Sequence, residues 1–367
     1  MLPYLKKNED EINSYLAGVD TDAVISTLRK TRRGFQDLLN LISPAAATML
    51  EQMRPVAEAY RKMHFGKTVR LYTPLYISNK CINACAYCDF SRKNKSSRKT
   101  LTFEEIIEEA EAIKALGIDS LLVVAGEDPK SLPLEFLEKA VRKLKEYFSY
   151  LAIEIFPLDV DGYKCLAAAG VDGLTLYQET YNRELYAELH PSGPKRDYPN
   201  RVDAIARGGR AGIRNLGIGF LLGLYDWRSE SASLAAHAIW LRKHFWKSRI
   251  QFSFPRITPV GTGFQPLAPV SEAELEQMML AFRIVFPEAD MTISTREKQE
   301  FRNRMAVCCT GNISAGSRVT PGGYAQIAEK DVGQFMLNDT RTVAEIESDL
   351  KKRGLETVIK YWDRCIG

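Results

Sequence analysis

Three cysteines, Cys81, Cys85 and Cys88, lie close together in the sequence, with three and then two residues between them. Three thiolates on one loop can hold three irons of a four-iron cluster and leave the fourth iron without a protein ligand. Such an open iron can chelate a small molecule and pass an electron to it. The spacing therefore predicts an open [4Fe–4S] cluster, with the three cysteines as its metal ligands.

A structural zinc ion and a disulfide framework are the alternatives for this triplet. A structural zinc site uses four protein ligands, yet the nearest histidine, His64, is well upstream and no fourth cysteine lies near. The total of seven cysteines is odd, which disfavours a disulfide framework. The other four, Cys165, Cys308, Cys309 and Cys365, are predicted to bind no metal. A zinc or iron–sulfur protein that only binds a partner remains the non-enzymatic alternative.

The composition excludes several classes of protein. The chain has 367 residues, of which 45% are hydrophobic and 26% charged, as is typical of a folded domain. Its net charge of +4 is too small to indicate a nucleic-acid partner. The longest apolar stretch, residues 218–225, is far too short to span a membrane, and the N-terminus has no apolar signal core. We expect a cytoplasmic protein with no nucleic-acid or membrane partner.

The elements that must position the cysteines follow from hydrophobic periodicity. Residues 1–67 show helical spacing, and short apolar runs alternate with helical segments after residue 69. The predicted strands are 69–77, 120–125, 151–156, 173–177, 217–222, 250–254, 291–294 and 312–314. The predicted helices between them are 102–116, 133–147, 159–169, 198–211, 228–244 and 271–286. Two of these helices begin with a capping box, Thr102 with Glu105 and Ser271 with Glu274.

Eight strands alternating with helices predict an α/β fold, a (β/α)8 TIM-type barrel. We expect an N-terminal helical extension (1–67), the barrel (68–318) and a short C-terminal cap (319–367) made of a loop and a helix. A doubly wound open sheet is the alternative, but no Gly-x-Gly-x-x-Gly follows the first strand.

In such a barrel, functional residues lie at the C-terminal ends of the strands. Polar residues or glycines stand near the end of nearly every predicted strand. They are Tyr76, Gly126, Glu127, Glu154, Gln178, Glu179, Gly219, Gly223, Arg256, Arg296, Ser314 and Ser317. A guanidinium binds a carboxylate in a bidentate fork, so Arg256 and Arg296 favour an amino-acid substrate. Structural alternatives stay open, including a core aromatic at Tyr76 and tight packing at the glycines of the fifth strand.

The cysteine motif, with Tyr87 as the aromatic residue before the third cysteine, resembles the signature of the radical S-adenosylmethionine (SAM) superfamily. In that superfamily the open iron binds the amino and carboxylate groups of SAM, and reduction splits SAM into methionine and a 5′-deoxyadenosyl radical. The resemblance implies SAM as a second cofactor. The expected SAM-binding residues are Tyr87, Gly126, Glu127, Glu154, Gln178, Glu179, Gly219 and Gly223.

From about Ile42 onward, the chain resembles the radical SAM aromatic amino acid lyases. The segments that carry this resemblance are 73–79, 177–181, 226–228, 253–256, 294–297, 314–317 and 322–324. It implies cleavage of the Cα–Cβ bond of L-tyrosine to 2-iminoacetate (dehydroglycine) and p-cresol, for thiamine thiazole biosynthesis. It also implies a reductant such as flavodoxin or ferredoxin, and a thiazole synthase partner. The expected catalytic residues are Tyr76 and Arg296, and the expected substrate-binding residues are Tyr76, Arg256, Arg296, Ser314 and Ser317.

Two relatives within this family are the alternatives. The tyrosine lyase of hydrogenase maturation carries a second, C-terminal cysteine triplet, whereas here Cys365 stands alone near the end, so we expect no second cluster. The tryptophan lyase differs more around the cysteines and in segments 314–317 and 322–324. One departure is Asp89, which follows Cys88 where the thiamine enzymes usually have a small residue. An acidic side chain there is expected to lower the reduction potential of the cluster.

Overall fold

The computed structural model describes residues 9–258, 263–325 and 333–358. Eight parallel strands form its centre, and the first strand pairs with both the second and the eighth, so the sheet closes into a barrel. The strands are β1 (Thr68–Ser78), β2 (Ser120–Ala125), β3 (Tyr150–Glu154), β4 (Gly173–Thr175), β5 (Asn215–Gly219), β6 (Arg249–Ser253), β7 (Asp290–Ile293) and β8 (Asn312–Ser314). The predicted (β/α)8 fold is confirmed.

Helices precede the barrel and connect its strands. The first five are α1 (Glu9–Ala17), α2 (Thr21–Arg29), α3 (Phe35–Ile42), α4 (Pro44–Ala47) and α5 (Leu50–Phe65). Those that follow are α6 (Phe103–Ala115), α7 (Leu134–Tyr147), α8 (Val160–Ala169), α9 (Arg183–Leu189), α10 (Tyr198–Arg210), α11 (Trp227–His244), α12 (Glu272–Val285), α13 (Gln299–Cys308) and α14 (Val343–Lys352). Among the described residues, no helix is both long enough and apolar enough to cross a membrane.

Most element boundaries match the hydrophobic pattern, and the differences have local causes. Strands β2 and β8 and the two capping boxes lie where predicted. Strand β4 is shorter than expected and ends at Thr175, although the Leu176 and Gln178 N–H groups still donate to the carbonyls of Gly217 and Gly219 at 3.0 Å each. The chain then turns at Glu179, which has a φ of 71°. Helices α9 and α13 were not predicted. Helix α9 is short, and its start is stabilised by the side chain of Asn182, which accepts from the Leu185 N–H at 3.0 Å.

The N-terminal helices pack on the outside of the barrel, where α3 and α5 contact α11, α12 and α13. Buried polar side chains anchor this contact. The Gln277 amide donates to the carbonyls of Leu41 at 3.1 Å and Ser43 at 2.8 Å, and the Arg228 Nε donates to that of Ile42 at 2.8 Å. Because these donors bind the open C-terminal carbonyls of α3, they fix the extension on the barrel.

The C-terminal part contains more than the predicted loop and helix. A ninth strand, β9 (Glu356–Val358), pairs in parallel with β1 from Thr68 to Arg70. This part of β1 precedes its pairing with β2, which begins at Thr73, so its edge is available to β9. At the opposite end of the barrel, residues 333–339, here called the strap, contact the C-terminal ends of β1, β7 and β8. Both ends of the barrel therefore receive contacts from the C-terminal part of the chain.

Candidate active site

The cysteine loop follows β1 and lies at the C-terminal mouth of the barrel. Cys85 is buried, and Cys81 and Cys88 are partly exposed. Burial raises the pKa of Cys85 to about 11 and that of Cys88 to about 12. The Arg98 guanidinium fixes the loop by donating to the carbonyls of Asn79 at 2.8 Å and Ser91 at 2.6 Å. Three thiol ligands on one loop, held in place by Arg98, fit the predicted iron–sulfur cluster.

Gly126 and Glu127, which follow β2, contact the cysteine loop. A Cβ atom on Gly126 would lie 2.3 Å from the Lys80 carbonyl oxygen, so only a glycine lets the two backbones approach this closely. The Glu127 carboxylate accepts from the Asn83 amide at 2.6 Å, and its carbonyl accepts from the Ile82 N–H at 2.9 Å. The two residues expected to meet SAM thus shape the loop, and the space beside Gly126 is filled by the loop itself.

A cavity opens beside Cys88 at the mouth of the barrel. Its charged and polar lining includes Tyr87, Glu154, Tyr177, Glu179, Lys195 and Arg296. Four of these six, Tyr87, Glu154, Glu179 and Arg296, were candidates from the sequence, and the fold brings them together with Cys88. Cationic side chains (Lys195 and Arg296) and acidic ones (Asp89, Glu154 and Glu179) line the same cavity, which matches a ligand that carries both an amino group and a carboxylate.

Glu179 is the centre of a buried ion-pair network. Its Oε1 atom lies 2.6 Å from Lys195 Nζ and 3.2 Å from Arg201 Nη2. Burial alone would raise the pKa of Glu179, but the two cations hold it below its usual value. The neighbouring Gln178 is also buried, and its Nε2 has no hydrogen-bond partner among the described residues. Sequence reasoning missed Lys195, because it lies in an irregular segment with no periodic signal.

Glu154 ends β3 and lines the cavity. Burial, together with the negative charge of Glu179, raises its pKa to about 7, although Arg296 acts in the opposite direction. This carboxyl group can therefore hold or release a proton near neutral pH.

Arg296 follows β7, and three neighbours hold it at the cavity. Its guanidinium carbon lies 3.6 Å from the centroid of the Phe335 ring. Its Nη1 donates to the Arg256 carbonyl at 3.3 Å, and its own carbonyl accepts from Asn338 Nδ2 at 2.6 Å. Phe335 and Asn338 both belong to the strap, so the C-terminal cap positions this guanidinium.

Tyr76 lies within β1 and is buried. Its hydroxyl donates to Gln334 Oε1 at 2.6 Å, and its ring packs edge-on against Phe90. Burial raises the pKa of this phenol well above its usual value, so it stays protonated at neutral pH. Gln334 lines the cavity and was missed in the sequence, because it is 258 residues away from Tyr76.

Tyr87 contacts a buried histidine. Its hydroxyl lies 2.8 Å from His190 Nε2, and His190 Nδ1 lies 2.7 Å from the Tyr186 carbonyl. Burial and the charge of Lys195 lower the pKa of His190 to about 3, so the ring is neutral. Its Nδ1–H therefore donates to the carbonyl, and its Nε2 accepts from Tyr87. This arrangement fixes the ring of Tyr87 beside the cysteines.

The cavity beside Cys88 is not lined by Arg256, Ser314 or Ser317, the other residues expected to bind substrate. The Arg256 guanidinium forms a bidentate ion pair with Glu297, with Nε 2.9 Å from Oε1. Ser314 is buried, and its Oγ accepts from the Thr295 N–H at 3.0 Å. Ser317 lies in a different depression, beside α14. The sequence placed these residues near strand ends correctly, but it carried no information about the ion pair of Arg256 or the hydrogen bond of Ser314.

Gly219 and Gly223, two of the expected SAM-binding residues, are closely packed against the protein. A Cβ atom on Gly219 would lie 2.1 Å from the Ser253 carbonyl oxygen and 3.0 Å from the Tyr177 ring. One on Gly223 would meet Pro266 at 3.1 Å, and this glycine has a φ of 109°. These contacts are those expected for tight packing at the two glycines.

Comparison with known proteins gives consistent results. Residues 75–233 match the family model of the radical SAM superfamily, and residues 253–356 match the biotin and thiamin synthesis associated domain. The chain is 38% identical to the 2-iminoacetate synthases of Salmonella typhimurium and Escherichia coli, over 98% of this chain and 95% of each relative. The crystal structure of HydG, a maturase of the [FeFe]-hydrogenase, superposes with a TM-score of 0.90 at 29% identity, covering 96% of this chain and 80% of that one.

The matched superfamily implies a [4Fe–4S] cluster and SAM as cofactors, and the cysteine loop and the charged cavity beside it fit both. The resemblance inferred from the cysteine motif and the strand ends is confirmed by the near full-length match. The chain belongs to the radical SAM superfamily and, within it, to the family of the 2-iminoacetate synthases.

Proposed function

We propose that this protein is a radical SAM lyase that cleaves the Cα–Cβ bond of L-tyrosine to 2-iminoacetate and p-cresol, with SAM split into methionine and 5′-deoxyadenosine. Its role would be in thiamine thiazole biosynthesis. The observation that carries the proposal is the 38% identity to two 2-iminoacetate synthases over 98% of the chain. The cavity supports it, because the thiol of Cys88, several carboxylates and the guanidinium of Arg296 line it together.

The cysteine loop would hold the cluster through Cys81, Cys85 and Cys88. When bound, the reduced cluster supplies the electron that splits SAM into methionine and a 5′-deoxyadenosyl radical. Tyr87 and Glu154 face the space beside Cys88, and Glu179 offers an acceptor there that its cationic partners keep ionised. The residues proposed to surround SAM are Tyr87, Glu154, Gln178 and Glu179, with Gly126, Glu127, Gly219 and Gly223 shaping the walls.

Arg296 would bind the carboxylate of tyrosine in a bidentate fork. Tyr76 would lie near the head group, and Gln334, which accepts from the Tyr76 hydroxyl, keeps its amide nitrogen available as a donor to the same carboxylate. The substrate amino group would then face the radical, which abstracts a hydrogen from it. Arg256 would act through its backbone carbonyl, which holds Arg296.

Apolar side chains complete the cavity and would exclude water from the radical. Leu221, Ile257 and Phe264 line it, and Phe335 covers Arg296. A dry cavity strengthens the ion pair between the guanidinium and the carboxylate.

The test is anaerobic incubation of the reconstituted protein with dithionite, SAM and one aromatic amino acid at a time, followed by chromatography of the products. We expect p-cresol and 2-iminoacetate, or its hydrolysis product glyoxylate, from tyrosine, and no cleavage of tryptophan. The Cys88→Ala variant should give neither p-cresol nor 5′-deoxyadenosine. Cleavage of tryptophan with no reaction of tyrosine would overturn the choice of substrate, and no SAM cleavage at all would favour a binding protein.

The remaining assignments rest on the same family membership. We propose a low-potential reductant such as flavodoxin or ferredoxin, a thiazole synthase partner and a cytoplasmic location. We also propose three parts of the chain: an extension at 1–67, the barrel at 68–318 and a cap at 319–367. The packing of α3 and α5 on the outer helices supports the first boundary, and the strap supports the third.

A further inference from the structure

A basic segment follows the third cysteine. Arg92, Lys93 and Lys95, which we call the basic loop, are all exposed. None of them forms an ion pair with another residue in the described ranges. Lys99, a few residues further along, does form one, with Glu105 at 2.9 Å. The loop therefore presents three uncompensated positive charges beside the cluster-binding cysteines.

Backbone contacts tie the basic loop to the cysteine loop. Asn94 Nδ2 donates to the carbonyls of Cys88 at 3.2 Å and Asp89 at 3.1 Å. The Arg92 N–H donates to the Asn83 carbonyl at 2.8 Å, and Arg98 holds the Asn94 carbonyl at 3.2 Å. These bonds hold the backbone of the basic loop beside the cysteine loop, so the three cationic side chains project from this part of the surface.

An exposed apolar residue lies next to these cations. Ile82, between Cys81 and Asn83, is 39% exposed, and the bond from Arg92 to Asn83 brings the basic loop beside it. Within residues 82–97 the one acid is Asp89, which is buried, so the exposed charges of this segment are all positive. The positive charges of such a surface attract an acidic protein, and the apolar residue beside them is then buried in the interface.

We propose that the basic loop and Ile82 form the docking site of an acidic one-electron carrier protein, which reduces the cluster. This inference rests on the proposed function. One electron leaves the reduced flavin or iron–sulfur centre of the carrier, which is thereby oxidised, and the cluster gains that electron, with no proton or group transferred. Electron-transfer partners meet through small, polar interfaces and dissociate quickly, and three positive charges accelerate such encounters.

The test compares two charge-reversal variants of the cluster-loaded protein. The loop variant is R92E/K93E/K95E. The matched control is R214E/K243E/K247E, which reverses three exposed cations at the opposite end of the barrel, near the starts of β5 and β6. Binding of an acidic flavodoxin is measured by calorimetry, and p-cresol formation is driven either by flavodoxin hydroquinone or by dithionite.

We expect the loop variant to raise the Kd for flavodoxin about tenfold or more at low ionic strength, with the difference shrinking at about 0.5 M salt. Its flavodoxin-driven rate should fall in parallel, while its dithionite-driven rate and the control stay at the wild-type level. The milder R92Q/K93Q/K95Q variant should be intermediate, and it serves as the test if the reversal variant does not fold. An unchanged Kd overturns the docking proposal. Absence of dithionite-driven p-cresol from the wild type overturns the proposed function instead.

Discussion

The Phe335 ring lies against the Arg296 guanidinium, with 3.6 Å between the guanidinium carbon and the ring centroid. The two residues come from different parts of the fold, the strap and the end of β7. An aromatic face attracts a guanidinium and leaves its N–H edges free for a carboxylate. The C-terminal cap therefore holds the arginine that is proposed to bind the substrate.

Phe335→Leu should raise the KM for tyrosine about 3- to 30-fold, because a desolvated cation–π contact contributes about 0.5–2 kcal/mol. The KM for SAM should stay unchanged. Steady-state assays of p-cresol formation measure the first value with tyrosine varied at saturating SAM, and the second with SAM varied at saturating tyrosine. Phe335→Tyr keeps the aromatic face and is the matched control. If the leucine variant keeps the wild-type KM for tyrosine, the ring does not position Arg296.

Arg296→Ala should abolish tyrosine cleavage, because the carboxylate of tyrosine loses its bidentate partner. Reductive cleavage of SAM without substrate turnover should persist, since the cysteine loop is unaffected. The ratio of p-cresol to 5′-deoxyadenosine measures this uncoupling. Arg296→Lys keeps the charge but not the fork, and it should recover only a small part of the activity. A normal product ratio in the alanine variant would contradict the assignment.

Gly126→Ala should displace the cysteine loop, because the added Cβ would lie 2.3 Å from the Lys80 carbonyl oxygen. We expect a loss of about 1–3 kcal/mol in the free energy of unfolding and a lower iron and sulfide content after reconstitution. Metal analysis and denaturant unfolding measure these effects. Gly34→Ala is the control, since nothing lies within 4 Å of its Cβ position. Equal iron content in the two variants would argue against this role of Gly126.

Glu154→Gln should stabilise the protein more at high pH than at low pH. The folded protein holds the Glu154 proton up to about pH 7, whereas an ordinary glutamate ionises near 4.5. As the pH rises between these values, the unfolded chain releases the proton first, so the wild type loses stability. The advantage of the glutamine variant should grow by about 2 kcal/mol between pH 5.5 and 8.5. Denaturant unfolding at both values, without SAM, measures it. A pH-independent difference would refute the raised pKa.

Asp339→Asn should cost about 3–5 kcal/mol in the free energy of unfolding. The Asp339 carboxylate pairs with Arg302 and with Arg341, and the side chains of Asp339 and Arg302 are almost fully buried. Removing its charge leaves the Arg302 guanidinium unpaired in the protein interior. Asp161→Asn breaks an exposed pair with Lys164 and should cost less than about 1 kcal/mol. Equal losses in the free energy of unfolding would show that the buried ion pair stabilises the protein no more than the exposed one.

Local sequence patterns predicted the barrel well, because the signals for its elements are local. Alternating apolar runs marked the eight strands, and side chains three residues apart marked the caps of α6 and α12. Lys195 and Arg201, the ion-pair partners of Glu179, were not found from the sequence. No local pattern reveals partners that lie many residues away.

The sequence by itself determined the chemistry that is possible at this site. The spacing of Cys81, Cys85 and Cys88 already defines three ligands on one loop, because thiols this close in the chain must lie close in space. It also placed Glu154 and Arg296 at strand ends, which a closed parallel barrel brings to one mouth.

Only the tertiary structure decided which polar groups remain available there. Arg256 and Arg296 look alike in the sequence, but Glu297 occupies the first, while Phe335 holds the second at the cavity. The contact between Tyr76 and Gln334 was equally invisible. These outcomes depend on side chains that meet only after the barrel closes and the strap crosses its mouth, and the burial of each charge then requires a partner or a ligand.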